Sequence, residues 1–257
     1  MIFFDENNPN KYKKLKKLLV PKKTEITPKK VKVGSGDGGY VLDPSRVDTV
    51  LSYGIGENKE AMSFEIEMLK MGCKVHMYDG ALEQLPIKNP EKKGGDPKFF
   101  SENLDADNFK KHVNRLQIKS RNTAVLKMDI EGHEYSWLTS DNLKILSDNF
   151  GQFCIEVHSL IEETPQGWVL EPQLKEAKEN KQKVLSFFQK LNDKFTLTHI
   201  HGNNHSPRYV DLPDCLELTY VNNDVIGVGG IDYSRFPVDG LDEPNYNMRE
   251  DYVLDWW

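Results

Sequence analysis

Cysteine is scarce in this chain. Only Cys73, Cys154 and Cys215 occur, odd in number, far apart and flanked by apolar residues. That pattern argues against a disulfide frame or a zinc cluster and fits reduced thiols buried in a core. Long apolar runs are also missing: no stretch of eighteen such residues exists to cross a bilayer, so no membrane insertion is expected. Positive charge is not in excess either. Lys and Arg total 34 against 40 Asp and Glu, a net charge of −6, which argues against the uniformly basic surface that nucleic-acid partners require. Internal repeats and low-complexity tracts are absent. The opening residues "MIFFDENNPNKYKK" show no basic leader ahead of an apolar stretch, and the expected location is the cytoplasm.

What is present is ample apolar material, 38% of 257 residues with 10% aromatic, enough for one full core. Residues 1–30 read as a basic arm and linker. Leu15, Leu18 and Leu19 lie at helical spacing among lysines before Pro21 and Pro28 interrupt, so a short amphipathic helix is expected, its leucines packed on the body. Residues 31–257 read as one domain. Strand-like "VDTVLSYGIG", "CKVHMYDG", "TAVLKMDIEG", "FCIEVH" and "TLTHIHGN" alternate with helix-like "NKEAMSFEIEMLKMG", "EYSWLTSDNLKIL" and "LKEAKENKQKVLSFFQKLNDKF". This alternation predicts an α/β fold, a mostly parallel sheet with helices on both faces. "CLELTYV" and "DVIGVGGI" are expected as an antiparallel pair at one edge, and "NPEKKGGDPK" as a polar loop.

Gly54 and Gly56 follow the first core strand, where a tight turn into a helix lets a ligand approach the backbone. Asp79 ends the next strand, the place from which an acid accepts hydrogen bonds from a ribose. The third glycine of a dinucleotide fingerprint is missing, since Lys59 or Glu60 stands there, and Glu57 would repel a pyrophosphate while suiting a cationic sulfonium. S-adenosylmethionine therefore fits better than a nicotinamide or flavin dinucleotide.

Asp129, in "KMDIEGHE", is expected to project from the sheet's C-terminal edge, with Gly132 allowing a turn and Glu134 starting the following helix. His158 with Glu156, and His201 with His199, fall at strand ends on the same edge, so Asp129, His158 and His201 are expected to converge. Such a set can take a proton from a hydroxyl, or hold a divalent metal such as Mn²⁺, Fe²⁺ or Zn²⁺. His133 and His205 are secondary candidates. Asn203, Asn204 and Arg208 are able to hydrogen-bond a sugar or phosphate-bearing acceptor, while the aromatics Tyr246, Tyr252, Trp256 and Trp257 of the tail are expected to pack on their own domain rather than cover an acceptor or a subunit partner.

In order and spacing, "VLSYGIGEN", "VHMYDG", "LKMDIEGHEYSWL" and "FCIEVH" resemble FkbM-type S-adenosylmethionine-dependent O-methyltransferases, over roughly residues 33–223. "LKMDIEGHE" is the most specific piece. The resemblance implies a Rossmann-like, class I methyltransferase sheet of seven strands and a donor held by Tyr53, Gly54, Gly56, Glu57, Asp79 and Asp129. It also implies a sugar or sugar-linked hydroxyl, as in polysaccharide pathways, as acceptor, and "GSGDGGYV" looks like a segment that closes over the donor. Where the family pattern often begins with an acid, this chain has Ser52 and Tyr53. Two other functions compete: an NAD-dependent oxidoreductase, and a non-catalytic carbohydrate-binding protein on the same fold.

Overall fold

The computed structural model describes residues 12–32, 38–88, 90, 94–161 and 183–257. Seven strands make the main sheet: β1 (Thr49–Tyr53), β2 (Lys74–Tyr78), β3 (Asp96–Phe100), β4 (Ala124–Met128), β5 (Gln152–Val157), β6 (Phe195–Gly202) and β7 (Leu216–Asn222). Their order across the sheet is β3-β2-β1-β4-β5-β7-β6. Strands β1 to β5 pair in parallel, and β7 inserts antiparallel between β5 and β6. The chain walks outward from β1 to β3, then returns to start β4 on the other side of β1. That reversal opens a crevice at the C-terminal ends of β1 and β4.

Alternation along the strands sends Val50, Val75 and Val125 to one face and Leu51, Leu126 and Phe153 to the other. The first face packs against Phe64, Ile66 and Leu69 of helix α2 (Ser63–Lys70). The second packs against Phe109 and Val113 of α3 (Phe109–Leu116), Leu146 of α4 (Ser140–Asn149) and Phe187 and Phe188 of the helix over 183–192. Burial on both faces explains why β1, β4 and β5 read as continuous apolar runs. Gly72, at φ +88°, follows α2, and the Thr139 hydroxyl accepts from the Asn142 amide to cap α4.

Two expectations about strands are corrected. "DVIGVGGI" does not join the main sheet: Val228–Ile231 is exposed along its length and pairs with Lys22–Thr24 instead, because Gly229 and Gly230 give it no side chains to bury. The seventh strand is Asp96–Phe100, in the stretch expected as a polar loop. Its edge position tolerates Pro97 and leaves its residues half-buried or exposed, so it carries no hydrophobic signature. Helix α3 has no counterpart in the sequence reading.

The short N-terminal helix α1 (Lys13–Leu18) is present, with Leu15 and Leu19 buried and Leu18 packed against the core. All three cysteines are free and buried. Residues 34–37 of "GSGDGGYV" and residues 174–182 of "LKEAKENKQKVLSFFQKLNDKF" lie outside the described residues. Tail aromatics pack on their own domain, Trp257 against Phe236 and Trp256, with the Lys16 ammonium over the Trp256 ring.

Trp137 ties the segment after β4 to the core, edge-on to both Phe109 and Phe153. Trp137→Ala is expected to cost about 3–5 kcal/mol of stability, measured by urea denaturation. A loss under ~1 kcal/mol would show that this segment is not packed as described.

Candidate active site

Three strand ends meet at Gly54. Its amide donates to the Tyr78 carbonyl of β2, while the Asp129 amide after β4 donates to the Tyr53 carbonyl. Gly54 adopts φ +65°, and a Cβ built there would lie 1.5 Å from the Asp129 carbonyl oxygen. Only glycine lets β1 and β4 close to this distance. The Lys127 ammonium, buried within β4, donates to the Gly54 carbonyl and reaches the Tyr53 carbonyl at 3.4 Å. Glu65 of α2 answers that charge from inside the protein. Its Oε1 lies 3.8 Å from the Lys127 ammonium and accepts the Ser52 hydroxyl. The strand that lacks an acid at Ser52 and Tyr53 thus receives one from the helix. Glu65 and Lys127 were missed in the sequence; a lone lysine inside an apolar strand, "AVLKM", was their available signal.

Beside this junction opens a cleft of about 480 Å³, lined by Tyr53, Gly54, Glu57, Asp79, Asp129 and Glu131 among others. Of the expected donor-binding residues, Tyr53, Gly54, Glu57, Asp79 and Asp129 line it. Gly56 does not line it but shapes the turn, at φ +73° with Ala61 packed where a Cβ would go. Asp79 is fixed by two backbone amides, Ile55 at 3.2 Å and Ala81 at 3.0 Å, one on each carboxylate oxygen. Each oxygen keeps a lone pair for a ligand. Glu102, Asn103 and Leu104, just past β3, line the cleft as well and went unnoticed with their strand. Among the described residues the wall carries five carboxylates, Glu57, Asp79, Glu102, Asp129 and Glu131, and no lysine or arginine, although Glu102 is paired with Lys111 and Arg115 behind it.

The expected convergence of three residues is met by two. His158 Nε2 lies 3.9 Å from Asp129 Oδ1 and 3.7 Å from Glu131 Oε2, and its Nδ1 donates to Glu134 at 3.0 Å. Burial disfavours charge on His158, yet Glu134, Glu156 and Asp129 outweigh it and hold its pKa up at about 10. Burial raises the Asp129 carboxyl to about 6, opposed by Lys127 and His158. Glu134 does not start a helix. It is fully buried in a turn, where Oε1 also accepts the Ile130 and Gly132 amides.

His201 is a correction. It sits on β6 with both nitrogens spent on carboxylates, Nδ1 to Glu217 at 3.1 Å and Nε2 to Asp251 of the tail at 2.9 Å. Strand β7, carrying Glu217, stands between it and β5, so it joins neither Asp129 nor a common metal set. Asn203 and Asn204 are likewise engaged: the first donates to Glu156, and the second holds the tail through the Tyr246 and Arg249 carbonyls. Arg208 lies over the Tyr252 ring. His133 lines the cleft, and His205 packs on Tyr246.

No family model and no curated protein matches the chain. Solved structures do. A fibrillarin pre-rRNA processing protein of Methanococcus jannaschii is 15% identical over 84% of this chain and 76% of its own, at a TM-score of 0.34. A Streptococcus mutans protein described as a SAM-dependent methyltransferase is 12% identical over 77% of this chain and 56% of its own, at 0.41. A 16S rRNA (adenine(1408)-N(1))-methyltransferase of Catenulisporales acidiphilia is 12% identical over 78% and 98%, at 0.33. At these identities and scores no residue role passes from those proteins to this one.

The tail clasp titrates. Burial opposes charge on His201, but Asp251 and Glu217 raise its pKa from 6.5 to about 10. A raised imidazole pKa contributes stability that is complete below pH 6.5 and is lost as pH rises through about 10. Between those values the melting temperature of the parent is expected to fall, and to fall less steeply in His201→Gln, with the remaining slope carried by His158. Equal slopes in the two proteins would contradict the clasp.

Proposed function

We propose that the chain is an S-adenosylmethionine-dependent O-methyltransferase whose acceptor is a hydroxyl of a sugar or sugar-linked small molecule. The observation that carries the donor assignment is the set of carboxylates, Glu57, Asp79 and Glu131 foremost, that lines the cleft beside the Gly54 turn. A pyrophosphate would meet repulsion from Glu57, Asp79 and Glu131, whereas a sulfonium bearing an ammonium group is attracted. The cleft volume suits a nucleoside-sized ligand. Asp79 offers its spare lone pairs to the two ribose hydroxyls, and Tyr78, Leu82 and Leu104 offer apolar surface to the base. This charge pattern disfavours the dinucleotide oxidoreductase.

In the transfer step the acceptor oxygen attacks the methyl carbon in line with the departing sulfur. The carbon–sulfur bond breaks, its electron pair stays on sulfur, and the hydroxyl proton must leave. Asp129, on the rim between donor cleft and solvent, orients that hydroxyl and receives its proton. His158 holds the Asp129 side of the rim from behind as a positioning residue. The acceptor class rests on the resemblance of "LKMDIEGHE" and on the polar rim of Asp129, Glu131 and His133.

Calorimetric titration of the full chain with S-adenosylmethionine is expected to show saturable binding. Asp79→Ala should weaken it by roughly tenfold or more, as loss of two ribose hydrogen bonds requires. Absence of saturable binding by the parent chain would remove the methyltransferase assignment.

A further inference from the structure

The geometry points to a divalent metal site formed by Asp129, Glu131 and His158, with Glu134 orienting the histidine. Asp129 and Glu131, just past β4, and His158, just past the neighbouring β5, each offer one ligand atom, and these atoms lie within 4.8 Å of one another. From His158 Nε2 the two carboxylate oxygens are 3.9 and 3.7 Å away. Neighbouring ligand atoms on an ion with bonds of about 2.0–2.2 Å sit about 3–3.6 Å apart, so a contraction of a few tenths of an ångström brings each carboxylate into that range of the histidine.

Two further features point to an ion rather than to a chance meeting of charges. Asp129 Oδ1 is shielded from solvent and has no hydrogen-bond donor among the described residues, although the Lys127 ammonium lies 4.0 Å from its companion oxygen. An acceptor oxygen left without a donor is costly unless something positive meets it. The second feature is the histidine's orientation. Nδ1 is fixed 3.0 Å from fully buried Glu134, whose carboxylate is itself held by the Ile130 and Gly132 amides. A carboxylate on the far nitrogen is how metal-binding histidines are commonly aimed and made more basic. Here it turns Nε2 toward Asp129 and Glu131. Glu156 Oε1 also stands 3.8 Å from Nε2, but Asn203 and the Cys215 thiol already contact it, which makes it a supporting neighbour.

Glu131 supplies the opening. It is 85% exposed and adopts φ +54°, in the turn made by "DIEGHE", so its carboxylate reaches the set from the solvent side. Two carboxylates and one imidazole suit Mn²⁺ or Fe²⁺ better than Mg²⁺, which prefers an all-oxygen shell. Binding releases the proton on Nε2. The function of the ion rests on the methyl-transfer proposal above: bound at the cleft rim, it would hold and acidify the acceptor hydroxyl. Asp129 then acts as a ligand, and the hydroxyl proton leaves to solvent as the oxygen takes the methyl group.

The test is a titration of the metal-stripped full chain with MnCl₂, with free Mn²⁺ counted by its electron paramagnetic resonance signal. One ion bound per chain is expected. Glu131→Gln, an exposed substitution that spares the fold, should weaken binding at least tenfold, and His158→Asn likewise. No uptake of Mn²⁺, or uptake unchanged in both variants, overturns the site. A parallel S-adenosylmethionine titration of the parent chain separates the two proposals. Donor binding without Mn²⁺ uptake removes the metal and leaves the methyltransferase; Mn²⁺ uptake lost in the variants upholds the metal site even if no donor binds.

Discussion

The close passage of Gly54 over the Asp129 carbonyl is the constraint on which the site depends. It brings the ends of β1 and β4 nearer than any side chain would permit. The turn is then held from below by the Lys127 ammonium on the Gly54 carbonyl, with Glu65 and Ser52 completing a buried polar core under it. A buried ammonium with hydrogen-bonded carbonyls and a facing carboxylate is tolerable, and removing any one partner leaves the others uncompensated. Position follows from this junction: Asp79 comes to the cleft because Ile55, one residue past Gly54, donates its amide to it. Asp129 comes to the rim because its own amide is tied to Tyr53.

Charge is sorted with equal care on either side of the sheet's C-terminal edge. The cleft collects carboxylates, while His199 and His201 lie on the far half of the edge. There β5, β7 and β6 place Glu156, Glu217 and His201 in one cross-strand row. The tail closes over that row: Asp251 and Asp242 pair with His201 and His199, and Asn245 donates to Glu217. The far half of the edge is thereby covered by the tail, while the cleft at β1, β2 and β4 stays open.

Periodicity made the parallel strands legible, because β1, β2, β4 and β5 are buried on both faces and leave apolar runs between glycines. Glycine spacing and the acid after β2 located the cleft for the same local reason: backbone turns at strand ends are written in single residues. Strand β3 was hidden because an edge strand has one partner and no need of apolar residues, and Val228–Ile231 misled because β-branched residues around glycines imitate a core strand. The placement of His201 was beyond reach. Its partner Asp251 is 50 residues away, in a tail whose sequence has no period, so only tertiary packing decides that both imidazole nitrogens are spent. Glu134 was misassigned for a related reason: an acid near a helix start and an acid buried under a turn look alike in sequence.

A crystal structure of the chain with S-adenosylhomocysteine tests the central claim most directly. The account predicts the nucleoside in the cleft beside Gly54, its ribose hydroxyls on the Asp79 carboxylate and its sulfur turned toward Asp129. A ligand bound elsewhere, or a cleft still filled by water at saturating ligand, would contradict it.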